Sequence, residues 1–375
     1  MKICITNMGF GLGGVERVAI QIANSLCEKG EDVTLVDFSG EYDFFYHVQD
    51  KVNIPKDIRS RKFSRKLIKK ALYFKYRVNK NPISILDIYK EQILDLINHL
   101  QKNSYDLLIL CQNTLTAIIP TIKKSIPELK IVAWQHNSYD VYLNNYCKEF
   151  ITDYKRGLEL ADSVVCLTNA DLTNFKQINS NSKRIYNPLT LNNPKLSKLD
   201  KKNIIFVGRL SMEQKGLDYL VKIAKLINSE WKIIVVGKGN DEKNFRTLIK
   251  NHQLEKKIIL KGPLHHDELR DLYAEGSIFI STSRWEGFGL VITEAMASGL
   301  PIVSFDNFGP KEILLEGEFG VLVKKYNVEK FKDYINELTN DISKRKELQY
   351  KSLIRAKDFA IDNIINEWLE HLYSI

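Results

Sequence analysis

Short apolar runs of strand length alternate with amphipathic, helix-length runs along almost the whole chain, and they do so in two successive series. Such alternation points to parallel sheets covered by helices, because parallel strands must be joined by crossovers that return along the sheet. In the first series the strand-like runs are 2–6, 32–37, 106–110, 130–134 and 163–167, with helical patterns at 15–29, 85–100 and 171–177. The second series places strands at 203–207, 232–236, 258–260, 278–281 and 302–305, each followed by glycine or turn residues. Domains commonly run to about 100–200 residues, so 375 residues suit two. The expected architecture is α/β, two doubly wound Rossmann-like halves with a helical tail. The boundaries read 1–187 for the first domain, 188–202 for a polar hinge or linker after Asn187, 203–355 for the second domain, and 356–375 for a C-terminal helix packing back on the first.

Composition narrows the setting. With 44% hydrophobic and 27% charged residues the chain reads as a soluble globular protein, and no window approaches the roughly 18 apolar residues of a membrane span. The first seven residues read as a strand rather than a signal peptide. Five cysteines, odd in number and never spaced as C-x-x-C, suit reduced thiols in the cytoplasm and argue against disulfides and structural zinc. The formal charge of +9 is concentrated: residues 51–80 hold twelve Lys/Arg against one acid, Asp57. Within 56–80 these cations interleave with Phe63, Leu67, Ile68, Leu72, Tyr73, Phe74 and Tyr76. A basic amphipathic helix of this kind suits an anionic membrane surface; a solvated or acceptor-binding face is the next reading, and nucleic acid is not expected.

The most specific motif runs from Ser283 through Arg284, Trp285, Glu286, Gly287, Phe288, Gly289 and Leu290 to Glu294. It puts one carboxylate in a loop after a strand and another about two turns into the next helix, whose opening N–H groups and positive dipole end attract anionic oxygens. An isolated glutamate pair is more often solvated. Here the aromatic flanks, the paired glycines and the small-residue helix 295–299 favour a binding loop. Arg209 follows Gly208 directly at a strand end, and Lys215-Gly216 opens a helix; a directed guanidinium and a point-charge ammonium together suit a diphosphate.

Three weaker signals complete the set. Gly237 and Gly239 follow another strand, as a plain tight turn or as a phosphate or base contact. Gly11, Gly13 and Gly14 follow the first strand, where the spacing is not G-x-G-x-x-G but Asp37 stands where a ribose-binding acid would, leaving a nicotinamide cofactor open. His136 follows the strand ending at Trp134, among Gln135, Asn137 and Tyr139, and reads as a structural histidine or part of a sugar site.

With these residues in view, the sequence resembles glycosyltransferase family four. The likeness rests on the Glu286-to-Glu294 spacing with its E-G-F-G start, on Arg209 and Lys215 as the phosphate-binding pair, on the Gly11–Gly14 loop, and on His136 near the donor sugar. That resemblance implies the GT-B fold, two Rossmann-like domains facing each other across a cleft and closing about Asn187-Pro188. It implies retention of anomeric configuration and a nucleotide-sugar donor, UDP-sugar favoured, with no cofactor and no catalytic metal. It assigns Glu294 to the ribose hydroxyls, and Glu286 with the amides from Gly287, Phe288, Gly289 and Leu290 to the transferred sugar. A glycan or lipid-linked acceptor, bacterial surface polysaccharide and a peripheral site on the inner membrane face are the corresponding expectations. A non-catalytic partner subunit with the same fold is the rival reading.

Overall fold

The computed structural model describes residues 1–60 and 63–375, the side chains of 63–66 and 266 excepted. Its strands form two six-stranded sheets, parallel throughout. The first contains β1 (Lys2–Asn7), β2 (Asp32–Asp37), β3 (Leu107–Cys111), β4 (Lys130–Trp134), β5 (Ser163–Cys166) and β6 (Ser182–Arg184), in the order β2-β1-β3-β4-β5-β6. The second contains β7 (Asn203–Val207), β8 (Lys232–Val236), β9 (Ile258–Gly262), β10 (Ile278–Ser281), β11 (Ile302–Phe305) and β12 (Val321–Val323), in the order β12-β11-β10-β7-β8-β9. Ten strands coincide closely with the apolar runs. The two additions, β6 and β12, are three residues each and lie at sheet edges; Ser-Lys-Arg carries no apolar alternation to betray a strand.

The chain separates into two compact units, Met1–Tyr186 with Ile361–Ile375, and Asn187–Ala360. Central strands of both are buried on both faces, as continuous apolar runs such as Ile3–Ile5 and Ile204–Phe206 require. The segment read as a hinge, 188–202, is fastened to unit 2. Leu189 N donates to Phe359 O at 2.7 Å, Thr190 Oγ1 to Glu294 Oε1 at 2.6 Å, and Ser197 N to Ser298 O at 2.9 Å.

The C-terminal tail, expected as one helix over 356–375, is interrupted. One helix covers Ile342–Ala356, a 3-10 turn covers Lys357–Phe359, and Ala360 is non-helical at φ −58°, ψ 137° before the helix Ile361–Ser374. Phe359 therefore packs on Phe288 within unit 2, while Ile364, Ile365, Trp368 and Leu372 are buried in unit 1.

In each sheet the strand order turns outward from one place, between β1 and β3 in unit 1 and between β7 and β10 in unit 2. Loops leaving the carboxyl ends of such strands border the crevice where ligands of open α/β sheets bind. Arg209 leaves β7 and Glu286 follows β10; in unit 1 the Gly11–Gly14 loop leaves β1, and His136 follows β4, which is separated from β1 by β3.

Candidate functional site

In unit 2 the loops after β7 and β10 are welded together. Thr282 Oγ1 donates to Lys215 O at 2.9 Å and Arg284 N to Gln214 O at 2.8 Å. The Arg284 guanidinium spans the joint, donating to Met212 O at 2.8 Å, Glu213 O at 3.0 Å and Asp218 Oδ2 at 2.8 Å while lying over the Tyr219 ring. Gly216 sits at φ +60°, where a Cβ would come within 2.2 Å of Thr282 O. Only glycine permits that approach.

This joint brings two expected site residues into direct contact. Lys215 Nζ forms an ion pair with Glu286 Oε1, and Ser283 Oγ donates to the same oxygen at 2.7 Å. Lys215 is only 9% exposed although it is a lysine; such burial is rare without a partner. All the hydrogen bonds of Glu286 converge on Oε1, so Oε2 has no side-chain or backbone donor among the described residues. Ser283 is held in turn, its carbonyl accepting from Asn307 Nδ2. Neither Ser283 nor Asn307 carried a sequence signal of its own.

The glycines of the motif have separate uses. Phe288 is buried against Phe359, with ring centroids 5.7 Å apart. Its carbonyl lies where a Cβ on Gly309 would approach to 2.1 Å. Gly289 takes φ +116°, outside the range of ordinary L-residues, and caps the helix Leu290–Ala297. The loop is thereby anchored by an aromatic ring and turned by a glycine, leaving the first amides of the helix at the same edge of the sheet as Lys215.

Glu294 lies inside that helix, 1% exposed. Its Oε1 accepts from Thr190 and its Oε2 from Tyr273 OH at 3.0 Å. Both partners escaped the sequence reading, since a lone threonine and a helix tyrosine carry no pattern.

Gly237 and Gly239 are explained first by packing. A Cβ on Gly237 would come within 1.9 Å of Gly208 O, and one on Gly239 within 2.2 Å of Leu210 O. Leu210 N donates to Lys238 O at 3.1 Å and Met212 N to Asp241 Oδ2 at 2.9 Å. These bonds clamp the loop that bears Arg209, which is exposed and without a side-chain partner among the described residues.

The remaining expected residues lie in unit 1. His136 is 6% exposed, tilted against Trp134 with ring centroids 4.4 Å apart, and neither ring nitrogen has a hydrogen-bond partner among the described residues. Burial lowers its pKa to about 3, so the imidazole is neutral at physiological pH. Trp134 Nε1 and Trp368 Nε1 are also buried without partners, and the two indoles meet edge to face at 4.8 Å.

Gly14 begins the helix Gly14–Glu28, and Gly13 is extended. A Cβ on Gly13 would meet the Glu16 carboxylate. Asp37 is buried, with Oδ1 accepting from Ser39 N at 2.8 Å and Oδ2 from Tyr42 N at 2.9 Å. Both oxygens thus organise the loop after β2, which gives Asp37 a structural use that the sequence reading did not consider.

Comparison with known proteins bears on this arrangement. A family model described as glycosyl transferases group 1 matches residues 190–353. An uncharacterized glycosyltransferase of Haemophilus influenzae is 30% identical over 374 residues, 97% of each chain. The amylovoran biosynthesis glycosyltransferase AmsD of Erwinia amylovora is 26% identical over 367 residues, 95% of each chain. Among solved structures, Anabaena Alr3699/HepE in complex with UDP-glucose superposes with a TM-score of 0.77 at 18% identity, covering 100% of both chains. Staphylococcus aureus TarM in complex with UDP gives 0.75 at 16%, covering 99% and 100%. At these identities the likeness is one of fold, and the fold is GT-B.

Proposed function

Since the chain belongs to the group 1 glycosyl transferases, we propose that it moves a hexose or N-acetylhexosamine from a UDP-sugar to a glycan or lipid-linked acceptor, with retention of anomeric configuration. Glycosyl transfer itself comes with the family. The observation that carries the finer reading is the buried Lys215–Glu286 pair beside the start of the helix Leu290–Ala297. It gathers an ammonium for a diphosphate, a carboxylate oxygen free to accept from a sugar hydroxyl, and main-chain amides, all on one rigid joint.

As the sugar–phosphate bond breaks, negative charge grows on the leaving nucleoside diphosphate. Lys215, Arg209 and the amides of Phe288, Gly289 and Leu290 are the groups assigned to stabilise it, and preorganised donors of this kind are effective because they need no rearrangement during the step. Arg209 and Lys215 supply positive charge at the place where other enzymes use a divalent ion, so the reaction is proposed to need no metal. A leaving phosphate oxygen takes the proton of the acceptor hydroxyl on the face from which it departs. This accounts for retention without a side-chain base, and leaves Glu286 to hold the sugar rather than to attack it. Glu294 is assigned to the ribose, and Gly237 and Gly239 to the base or phosphates beyond their packing role. Gly13, Gly14 and His136 are assigned to sugar binding from unit 1. Neutral His136 donates from one ring nitrogen and accepts at the other.

HepE was crystallised with UDP-glucose and TarM with UDP, which supports a uridine donor. AmsD belongs to amylovoran biosynthesis, which supports a bacterial surface polysaccharide as the product. The reaction is proposed to be cytoplasmic; the free cysteines and the use of a nucleotide sugar support that reading. The test is turnover of a panel of UDP- and GDP-sugars with glycan and lipid-linked acceptors, reading the product's anomeric configuration by NMR. Retention with a UDP-sugar is expected. An inverted product, or a covalent sugar trapped on Glu286, would refute the mechanism. Unchanged turnover in Glu286→Gln would remove this pocket from the reaction.

A further inference from the structure

The basic segment folds, from Phe63 to Asn79, into a helix with two apolar faces. Arg61 and Lys62 lie outside the described residues. One face, Leu72, Tyr73 and Tyr76, packs on the core of unit 1, and Tyr76 OH donates to Lys148 O at 3.2 Å. The other points away from it. At about 100° per residue, Leu67, Ala71, Phe74 and Val78 fall within an arc of about 60°, and all four are exposed, Leu67 by 50%, Phe74 by 69% and Val78 by 71%. Lys70 and Arg77 border this strip on one side and Lys75 on the other, all three exposed. No acidic residue occurs between Asp57 and Asp87.

Solvated helix faces are polar. A helix already anchored through one apolar face has no need of a second for folding, and four aligned apolar side chains held in water are a cost that an interface would offset. Charge selects the occupant. A rim of cations without a single acid complements a surface that is negative in every direction, which is the property of an anionic bilayer. Protein surfaces more commonly present mixed charge. The dimensions agree: an interfacial helix buries a narrow apolar strip at the headgroup–acyl boundary while flanking Lys and Arg stems reach the phosphates. No helix among the described residues is long and apolar enough to cross a membrane, so attachment through this face lies along the surface.

We propose that the outward face of the helix Phe63–Asn79 docks the chain on anionic phospholipid, with Phe74 and Val78 inserted among the acyl chains and Lys70, Lys75 and Arg77 on the headgroup phosphates. The inference stands apart from the nucleotide reading of unit 2.

The test is sedimentation of the full chain with vesicles of phosphatidylglycerol and phosphatidylethanolamine, and with vesicles of phosphatidylcholine. The anionic vesicles are expected to bind at least about tenfold more tightly, with binding weakened by salt. Phe74→Glu/Val78→Glu and Lys70→Gln/Lys75→Gln/Arg77→Gln are each expected to lower affinity at least about tenfold at unchanged Tm, because every altered side chain is exposed. Equal binding to phosphatidylcholine, no binding to anionic vesicles, or wild-type binding by both variants would overturn the proposal. So would an RNA duplex that binds the chain more tightly than the vesicles do. A rise in Tm with UDP is recorded alongside; its absence would count against the nucleotide reading and leave the membrane face standing.

Discussion

Beyond the carboxyl ends of one sheet, Lys215 and Glu286 are buried and paired; beyond those of the other, His136 is buried with both ring nitrogens unpaired. The two regions treat their titratable side chains differently, although Trp285 Nε1 and Asn307 Oδ1 of unit 2 are also buried without a partner among the described residues. In unit 2 the charges are locked by Ser283, Arg284 and Asn307 before any ligand arrives. In unit 1 Trp134, His136 and Trp368 keep donors and acceptors that protein atoms do not meet, and a buried polar atom without a partner costs about 1–3 kcal/mol. A prebuilt charged joint suits a diphosphate, and open hydrogen-bonding capacity suits a ligand rich in hydroxyl groups.

The largest expected effect falls on the paired side. Lys215→Met is expected to lower kcat/KM by about 10²–10³-fold, the typical loss of one preorganised donor to a developing anion. Because that variant also strands a buried carboxylate, Lys215→Met/Glu286→Leu is the companion. Removing both partners is expected to recover much of the stability by urea unfolding while activity stays lost; recovery of activity would show the pair to be structural. Next, Glu294→Ala removes the carboxylate that accepts from Thr190 Oγ1 and Tyr273 OH. It is expected to destabilise unit 2 by about 3 kcal/mol and to raise KM for the donor more than it lowers kcat. A normal KM would detach Glu294 from the ribose.

How much of this was legible follows the same division. The motif from Ser283 to Glu294 is local: strand, glycine turn and helix entrance lie within a dozen consecutive residues, so their chemistry and geometry are written together. Arg209 and Lys215 were readable for the same reason. Thr190 and Tyr273, by contrast, reach Glu294 across 104 and 21 positions of sequence, and nothing local marks them. The break at Ala360 was hidden in an unbroken run of helix-compatible residues, although at about 100° per residue Phe359 falls opposite Ile361 and Trp368, and the residues on its two sides belong to different units. Asp37 is ambiguous for the opposite reason: an acid at a strand end looks alike whether it binds a ribose or holds the amides of its own turn, and here it does hold those amides.

Acid sharpens the comparison further. Burial lowers the His136 pKa to about 3 and the His371 pKa to about 4, from 6.5. The unfolded chain therefore takes up protons before the folded one as pH falls, so the associated stability is complete above about pH 6.5 and is lost as pH drops toward those values. At pH 4.5 this amounts to roughly 2 kcal/mol for each histidine. Both belong to unit 1, and none of the described histidines of unit 2 is buried. Hydrogen exchange is expected to show unit 1 opening first on acidification; earlier opening of unit 2 would break the contrast.

The smallest effect is on His136→Phe. Replacing unpaired nitrogens by carbon is expected to leave stability unchanged or raise it by about 1 kcal/mol, while kcat/KM falls about tenfold or more. A loss of stability with full activity would make His136 a packing residue.

The central claim is that the joint between the loops after β7 and β10 holds the diphosphate of a nucleotide sugar. Calorimetric titration of UDP into the wild-type chain and into Arg209→Ala and Lys215→Met tests it directly. The account predicts saturable binding by the wild type, weakened at least about tenfold in each variant; UDP bound equally well by all three would contradict it.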